Sequence, residues 1–458
     1  MLKKKAITVM VAGLSSALLI TACGDGEENN NIGDNTGDNN VENNVENNAG
    51  NEANAGDGEE KVIDFMHLWP QGSSAEHYAI VEDIVADFES ANPNITVDVD
   101  VMSNEQYKDQ MTILGSSNEL PDVGMTWPAG YLEPFVEGNM FAPLNDLVEG
   151  DLAGEFVAGT AEAYEWDGNN YGLPLELNAA YVFYNKAIFD EHGLEAPETM
   201  DELDHIVDTL NDAGIEPIAL GNRDRWTGSL WYMYLADRIS GEDDKLTEAI
   251  TREGSFEDPA LIQAAEEVQR MVDNGAFING FNGLADEEAK SMFMNEQTGM
   301  YLIATWDLPN YTTNEDVPQE FRDSIDYFKF PTVGGEGDMN SMVGGPGVGL
   351  FVSEDSDVKE EAKEFSSYFV QEWGERSVQE AGVIPATIVD TEAVELPEMY
   401  LDVLADLDSA TNLTLFADVQ MSPAAASVHL DAIQALFGGE ITPEEFAELH
   451  EEALAEEE

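Results

Sequence analysis

From residue 61 onward, hydrophobic positions follow two periods that alternate along the chain. A short apolar run over 62–66 predicts a strand, and apolar residues three and four positions apart over 80–88 predict an amphipathic helix. Apolar residues at every second position over 95–101 predict a half-buried strand. Because strand, helix and strand follow one another in this order, the sequence predicts an α/β fold with helical crossovers between largely parallel strands.

Local signals predict where several helices and turns begin. Three pairs in which Ser or Thr is followed three residues later by Glu predict capping boxes: Ser73 with Glu76, Thr199 with Glu202, and Thr442 with Glu445. The dipeptide Asp167-Gly168 predicts a hairpin turn. The glycine-rich segment 344–349 lacks the Lys-Ser/Thr pair of a phosphate loop, so we interpret it as a connection between strands.

Residues 1–22 have the pattern of an export signal. Lysines at 3–5 precede an apolar run over 6–20, which is shorter than the roughly 20 residues that a spanning helix needs. Residues 20–23 (ITAC) resemble the lipobox of bacterial lipoproteins, which implies cleavage before Cys23 and attachment of a diacylglyceryl group and palmitate-like acyl chains there. The alternative is a free buried cysteine after an ordinary signal peptide. Cys23 is the sole cysteine, so no intrachain disulfide can form.

Residues 24–60 differ sharply in composition from the rest of the chain. They contain twelve Asn, eleven acidic residues and seven Gly in 37 positions, with no Lys, Arg, aromatic residue, Leu or Pro. Such a segment cannot bury enough apolar surface to offset the entropy lost on ordering. The sequence therefore predicts that Cys23 and residues 24–60 form a disordered, acidic, lipid-anchored tether.

The charge of the chain excludes two classes of partner. Asp and Glu number 94 against 18 Lys and Arg, for a net charge of −76. Binding to nucleic acid needs clustered basic residues, and adsorption to an anionic membrane needs a basic patch, so we expect neither. Hydrophobic residues still make up 43% of the chain, which is typical of a globular protein. We interpret the acidity as adaptation to saline or alkaline surroundings.

We expect this acidic protein to lose stability at low ionic strength. Charges of one sign repel each other less when ions screen them, and the Debye length falls from about 30 Å at 0.01 M salt to about 3 Å at 1 M. The midpoint of thermal unfolding, measured by circular dichroism, should therefore rise between low and molar salt. An unchanged midpoint would count against halophilic adaptation.

Eight short motifs occur in a fixed order between residues 61 and 458. They include 88–97 (FESANPNITV), 121–123 (PDV), 171–174 (YGLP), 184–186 (YNK), Gly193, Pro197, Thr199 with 202–203 (EL), and 300–306 (MYLIATW). In this order they resemble family 1 of the bacterial extracellular solute-binding proteins, the maltose-binding-like sugar receptors of ABC importers. The last motif departs from the family pattern, because Ala-Thr stands where Gly-Ser is usual.

The resemblance implies a two-lobed periplasmic-binding-protein-like α/β fold (class II), hinged by crossing segments near Asn178, Thr305 and Gln371. Lobe 1 would comprise residues 61–178 and 305–370, and lobe 2 residues 179–304 and 371–458. The implied protein is a monomer without catalytic activity, cofactor or metal. It would capture a carbohydrate, expected to be an oligosaccharide, and deliver it to the permease subunits of an ABC importer. It would lie at the extracytoplasmic face of the cell membrane and contact the membrane through its lipid anchor alone.

Four tryptophans are candidate sugar contacts, because the C–H faces of a sugar lie well on aromatic rings. Trp69 follows the strand predicted over 62–66, and Trp127 follows a short strand predicted after Pro121. Both would lie at the carboxyl ends of strands, where α/β sheets place ligand loops. Trp226 lies in a charged loop, and Trp306 falls at the implied second crossing. Core or lobe packing is the alternative for each of them. The other three are predicted to pack in the core or a hairpin: Trp166, Trp231 and Trp373.

Four polar residues complete the predicted ligand-binding set. The resemblance places Glu176 and Asn178 at the first crossing, at or beside positions where maltose-binding-like members contact sugar. Asp307 follows Trp306, and Arg223 is a rare basic residue close to Trp226. Hydrogen bonding at a strand edge is the alternative for the first two, and a surface ion pair with Asp224 is the alternative for Arg223.

Two other functions compete with sugar capture. The acidity favours a binding protein for a polyamine or another non-sugar solute, although a cation site has no use for Arg223. A surface glycoside hydrolase needs two carboxylates, which this chain has in excess but without local support. The six His form no HExxH pair and no GxSxG occurs. We therefore predict a binding protein.

Overall fold

The structure, a computed structural model, describes residues 60–456 except 242, 335–336 and 392–393. The predicted signal peptide, the lipid attachment at Cys23 and the tether lie outside the described residues. No helix among the described residues combines the length and the hydropathy needed to cross a bilayer.

The described residues form thirteen strands in three sheets. The strands are β1 Lys61–His67, β2 Ile95–Val101, β3 Val123–Thr126, β4 Glu165–Trp166, β5 Asn169–Asn170, β6 Leu173–Pro174, β7 Leu177–Asn185, β8 Glu216–Ala219, β9 Thr298–Ala304, β10 Ile325–Phe328, β11 Ser341–Pro346, β12 Gly349–Val352 and β13 Asn412–Thr414.

Sixteen α-helices are formed by the same residues. They are α1 Ala75–Ala91, α2 Asn104–Ser117, α3 Glu133–Glu137, α4 Asn145–Val148, α5 Lys186–His192, α6 Met200–Ala213, α7 Trp226–Ser240, α8 Lys245–Ile250, α9 Pro259–Asp273, α10 Asp286–Met294, α11 Gln319–Ser324, α12 Lys359–Arg376, α13 Glu398–Asp408, α14 Ala417–Gln420, α15 Pro423–Phe437 and α16 Pro443–Ala455.

The first sheet has the strand order β2-β1-β3-β12-β6. β1 runs parallel to both β2 and β3, with α1 as the crossover, which confirms the predicted strand–helix–strand unit. β12 enters antiparallel between β3 and β6. The ring of Phe65 in β1 packs edge-on against Phe365 and Phe369 of α12, so α12 helps to cover this sheet.

The second sheet is built around β7, with the order β13-β11-β7-β9-β8 and β10 paired to β7. β7 runs antiparallel to β9, β10 and β11. All of its residues from Asn178 to Phe183 are buried. Helix α7 packs against β9 and β11 and carries Trp231, which is 0% exposed, as predicted for a core residue.

Three segments lie side by side where the chain passes between the two sheets. The first leads from β6 to β7 through 175–176, and the second leads from β11 to β12 through 347–348. The third, 383–387, follows α12. The N–H of Ala386 donates to the carbonyl of Leu175 at 3.0 Å, and the N–H of Gly347 donates to the carbonyl of Glu176 at 2.9 Å. These bonds join the three segments into one belt.

The belt differs from the crossings that the sequence predicts near Thr305 and Gln371. After Thr305 the chain remains with the second sheet, because β10 and β11 both pair with β7. Residues 305–346 therefore lie with the second sheet, whereas the family resemblance implied that 305–370 belong to lobe 1. Gln371 lies inside α12, which packs on the first sheet. The second crossing runs through the glycine-rich segment 344–349, whose composition predicted a connection but not its direction.

Two predicted capping boxes are confirmed and one is wrong. Thr199 caps α6 with Glu202, and Thr442 caps α16 with Glu445. Helix α1 instead begins after Ser74, whose side chain makes no capping hydrogen bond. The predicted hairpin is present as β4 and β5, with positive φ at Asp167 and Gly168.

Candidate functional site

A cavity of about 560 Å³ lies between the two sheets, in the size range of small-molecule sites. The ends of β1 and β3 border it on one side, and helices α7 and α10 border it on the other. All eight side chains predicted to bind a ligand line it: Trp69, Trp127, Glu176, Asn178, Arg223, Trp226, Trp306 and Asp307. Their contact with a ligand stays a prediction.

Aromatic rings border the cavity on both sides. Trp127 directly follows β3, is 8% exposed, and packs edge-on against Tyr131 with ring centroids 4.9 Å apart. On the side of the second sheet, the ring of Trp306 lies 5.8 Å from Trp226 and 5.7 Å from Phe416, edge-on to both. Aromatic rings therefore contribute to both walls of the cavity.

Trp69 lies deeper than the other predicted tryptophans. Its ring stacks on Trp373 with centroids 4.5 Å apart and an interplanar angle of 4°, and it is 4% exposed. The imidazole of His77 contacts it at a centroid distance of 5.0 Å. Because one face is covered by Trp373, this ring supports the wall of the cavity as well as lining it.

Glu176 lies in the first crossing and Asn178 at the start of β7, where the belt meets the cavity, and each is 2% exposed. The Asn178 amide donates to Glu176 Oε2 at 3.2 Å, and its Oδ1 accepts from the hydroxyl of Thr305 at 3.1 Å. The other oxygen of Glu176 lies 3.2 Å from His77 Nε2. The two hydrogen bonds of Asn178 hold its amide and the Glu176 carboxylate in place at the base of the cavity.

Asp307 is a buried acceptor that three groups already occupy. Its carboxylate accepts from Lys290 Nζ at 3.1 Å, from the Asn310 amide at 2.8 Å and from the Tyr311 hydroxyl at 2.5 Å. A carboxylate offers about four acceptor positions, so little of Asp307 is left for a ligand. Its main role is to position Lys290 and Asn310, which line the cavity with it.

Lys290 faces three carboxylates. Burial lowers the pKa of its ammonium, but the charges of Asp307, Glu287 and Asp286 outweigh this and raise the pKa above its usual range. Burial also raises the pKa of Asp286 to about 7, against the opposing effect of Lys290. Asp286 accepts a short hydrogen bond from the hydroxyl of Tyr301.

Charged side chains form ion pairs at the cavity wall. Lys108 Nζ of α2 lies 3.7 Å from Asp418 Oδ2 of α14 and 4.9 Å from the centre of the Trp127 ring. The Arg223 side chain is 58% exposed, and its guanidinium lies 3.9 Å from Asp224 Oδ1 and 3.5 Å from Glu288 Oε2. The predicted alternative for Arg223, a surface ion pair with Asp224, is therefore present.

Several residues that line the cavity were not predicted from the sequence: His77, Lys108, Ser229, Lys290, Phe416 and Asp418. Lys108 and Lys290 carried a usable signal, because basic residues are scarce in this chain. The others become neighbours through packing between distant segments. Within the described residues, no group of three or more His, Cys, Asp or Glu side chains is arranged to hold a metal ion.

Comparison with known proteins agrees with this geometry. The sequence profile described as bacterial extracellular solute-binding protein matches residues 71–372. The chain is 26% identical over 314 residues to a multiple sugar-binding protein of Streptococcus mutans, covering 63% of this chain and 67% of the relative.

Solved structures extend the likeness over most of the chain. A structure from a study of xylan utilisation by Caldanaerobius polysaccharolyticus has a TM-score of 0.79 and 27% identity, covering 85% of this chain and 98% of that one. A chitin oligosaccharide binding protein has the same TM-score and 22% identity, covering 86% and 99%. The predicted fold class, a two-lobed α/β periplasmic-binding-protein-like fold, is confirmed.

Proposed function

Because the chain belongs to the bacterial extracellular solute-binding proteins, we propose that it captures an oligosaccharide between its two lobes and delivers it to the permease of an ABC importer. The observation that carries this proposal is the pairing of aromatic walls, Trp127 on one side and Trp226 with Trp306 on the other. Aromatic faces bind the C–H surfaces of a sugar, and the rigid Glu176 and Asn178 at the base can hydrogen-bond its hydroxyls.

Capture also requires a difference in affinity between an open and a closed arrangement of the lobes. A ligand that contacts both walls binds the closed arrangement more tightly and so stabilises it. A ligand that contacts a single wall binds both arrangements equally and leaves the equilibrium between them unchanged. We propose that lobe 1 comprises β1–β6 with β12 and α12, that lobe 2 comprises β7–β11 with β13, and that the belt is the hinge. Capture of this kind needs no second subunit, so we propose a monomer.

The charge of the cavity supports a sugar over a polyamine. Nine carboxylate side chains and three Lys or Arg side chains line it, compared with 94 acidic and 18 basic residues in the whole chain. The cavity is therefore less acidic, relative to its basic residues, than the chain as a whole.

A thermal-shift screen tests the proposed function. The probes are maltotriose, xylotriose, triacetylchitotriose, spermidine and putrescine, and a probe present at 100 times its dissociation constant should stabilise the protein by about 2.7 kcal/mol. We expect a shift with at least one trisaccharide, with no change in the probe on chromatography after incubation. A shift with the polyamines alone, or cleavage of the sugar, would overturn the proposal. A Trp166→Ala variant, changed in the hairpin away from the cavity, serves as a control that keeps the shift.

We also propose that the protein is a lipoprotein attached to the extracytoplasmic face of the cell membrane through Cys23. We expect a Cys23→Ser variant to lack the lipid anchor, so that it is either released to the medium or retained as an unprocessed precursor of larger mass. Fractionation of cells followed by immunoblotting measures this. Membrane fractionation of the variant identical to that of the wild type, at the same processed mass, would contradict the lipid anchor.

A further inference from the structure

Three buried polar side chains form a hydrogen-bonded chain that begins at the cavity. Ser229 Oγ lies 2.7 Å from His429 Nε2, and His429 Nδ1 lies 2.8 Å from His450 Nε2. His450 Nδ1 in turn lies 2.7 Å from the carbonyl oxygen of Phe446. The three side chains are 2%, 0% and 1% exposed. The chain thus links the cavity wall to helices α15 and α16 behind it.

Ser229 lies on the face of α7 that lines the cavity. Trp226, Leu230 and Met233 line the cavity with it, at the spacing of three and four residues that defines one side of a helix. The two histidines are not among the lining residues, so Ser229 is the member of the chain that a ligand can reach.

The direction of the hydrogen bonds follows from the group at the far end. A backbone carbonyl can only accept, so His450 Nδ1 must carry a hydrogen. Burial holds the pKa of His450 and of His429 at about 3, so both rings are neutral and each carries a single hydrogen. His450 Nε2 therefore accepts from His429 Nδ1, and His429 Nε2 accepts from the hydroxyl of Ser229.

A serine hydroxyl has one hydrogen and two lone pairs. In Ser229 the hydrogen points to His429, so the lone pairs are what this cavity-lining hydroxyl can still offer to a ligand. A ligand group at this position must then be a donor, such as a hydroxyl or an amide N–H. A carbonyl, ether or carboxylate oxygen there would meet a second acceptor and lose its hydrogen bond.

We propose that Ser229 is a specificity-determining residue that accepts a hydrogen bond from a hydroxyl or N–H group of the bound carbohydrate. The inference rests on the proposed function and adds to it a requirement on one ligand position. His429 and His450 are positioning residues, because they act through Ser229 by fixing the orientation of its hydroxyl.

The alternative is a nucleophilic serine activated by His429. A Ser–His pair in a catalytic site is usually completed by a carboxylate that stabilises the imidazolium formed during reaction. Here the second imidazole and the carbonyl of Phe446 stand in that place, and neither carries a negative charge. The arrangement thus suits a fixed acceptor better than a general base.

The first test compares Ser229→Ala with a matched variant. Ser366→Ala removes another fully buried helical hydroxyl, one that donates to the carbonyl of Ala362 at 2.8 Å away from the cavity. Isothermal titration is carried out with whichever of maltotriose, xylotriose and triacetylchitotriose binds the wild type, and with its monodeoxy and mono-O-methyl derivatives. We expect Ser229→Ala to weaken binding roughly tenfold, and Ser366→Ala to leave the affinity unchanged.

Selectivity separates a ligand contact from a structural role. One monodeoxy derivative should bind the wild type roughly tenfold more weakly than the parent sugar does. Ser229→Ala should bind that derivative and the parent sugar equally, because the variant has already lost the serine hydroxyl that contacts the deleted sugar hydroxyl. An equal loss in both proteins at every position would overturn the inference while leaving sugar binding intact. If the wild type binds none of the trisaccharides, the proposed function itself fails. Release of shorter sugars by the wild type but not by Ser229→Ala would replace the acceptor role with a nucleophilic one.

Nitrogen NMR of the histidines tests the direction of the hydrogen bonds independently of any ligand. At pH 7 we expect both His429 and His450 as the tautomer protonated at Nδ1, with Nε2 in the chemical-shift range of an unprotonated imidazole nitrogen. Single His→Gln variants assign the signals. Protonation of His429 at Nε2 would make Ser229 the acceptor inside the chain and would overturn the proposal.

Discussion

Replacement of Lys290 by Met is expected to destabilise the protein by about 3–5 kcal/mol, because it leaves buried carboxylates without their cation. Lys290 contacts Asp307 at 3.1 Å and Glu287 at 3.3 Å, and its charge opposes the effect of burial on Asp286. Methionine fills a similar volume, so the loss measures the charge more than the packing. Urea unfolding followed by tryptophan fluorescence gives the free energy of unfolding.

The deficit of Lys290→Met should depend on pH with a definite sign. The pKa of Asp286 is about 7 in the folded protein, above its usual value of 3.8, and loss of the ammonium raises it further. A carboxyl group with a raised folded-state pKa contributes less stability as pH rises from the unfolded to the folded value. The variant should therefore fall further below the wild type at pH 8 than at pH 5.

A surface lysine provides the matched control for this prediction. Lys359 pairs with Glu354 at 2.8 Å, and both side chains are partly exposed. Exposed ion pairs contribute about 0–1 kcal/mol, so Lys359→Met should change the free energy of unfolding by less than that. Equal losses in the two variants, or a deficit of Lys290→Met that is constant with pH, would contradict the role given to Lys290.

Replacement of Trp306 by Ala is expected to weaken sugar binding by about 2 kcal/mol, roughly thirtyfold in dissociation constant. The ring is half-buried and lines the cavity, so its removal takes contact area from the ligand. Trp127→Ala should weaken binding similarly, with an added loss of stability because that ring is 8% exposed and packs on Tyr131. Titration with the trisaccharide that binds the wild type measures both affinities.

Trp231 distinguishes a cavity ring from a core ring. It is 0% exposed and packs edge-on against Phe277 and Phe330. Trp231→Ala should lose about 3–5 kcal/mol of stability, while the protein that remains folded keeps its affinity. Small-angle scattering should show that addition of the sugar reduces the radius of gyration of the wild type. The same addition should reduce the radius of gyration of Trp306→Ala by a smaller amount. Unaltered affinity in Trp306→Ala together with collapsed stability would assign that ring to the core.

The fold and much of the site could be predicted because their signals are local. Trp127 follows a strand whose apolar run is visible in the sequence, and the carboxyl end of such a strand faces the ligand in α/β folds. The capping boxes at Thr199 and Thr442 involve residues three positions apart, so they could be identified without tertiary information. The Ser73 box failed because the turn at Pro70 starts α1 one residue later, after Ser74.

The features that could not be predicted depend on distant segments. Ser229 and His429 are 200 residues apart, and nothing near either residue indicates that they are hydrogen-bonded. The second crossing at 347–348 escaped prediction for a related reason. Glycines indicate that a chain turns. They do not indicate which sheet the next strand enters, because that depends on packing between segments that are distant in the sequence.

The position of β12 in the first sheet has a consequence for how this chain folds. β12 lies between β3 and β6, although it follows them by more than 170 residues in the sequence. Until residue 352 has been synthesised, β3 therefore presents an unpaired edge, and the first lobe cannot close its own core. Contacts between such remote segments slow folding, because a long loop must close before they stabilise anything. The first lobe should thus complete its fold late, after about three quarters of the chain has been synthesised, whereas β7, β8 and β9 of the second sheet can pair earlier.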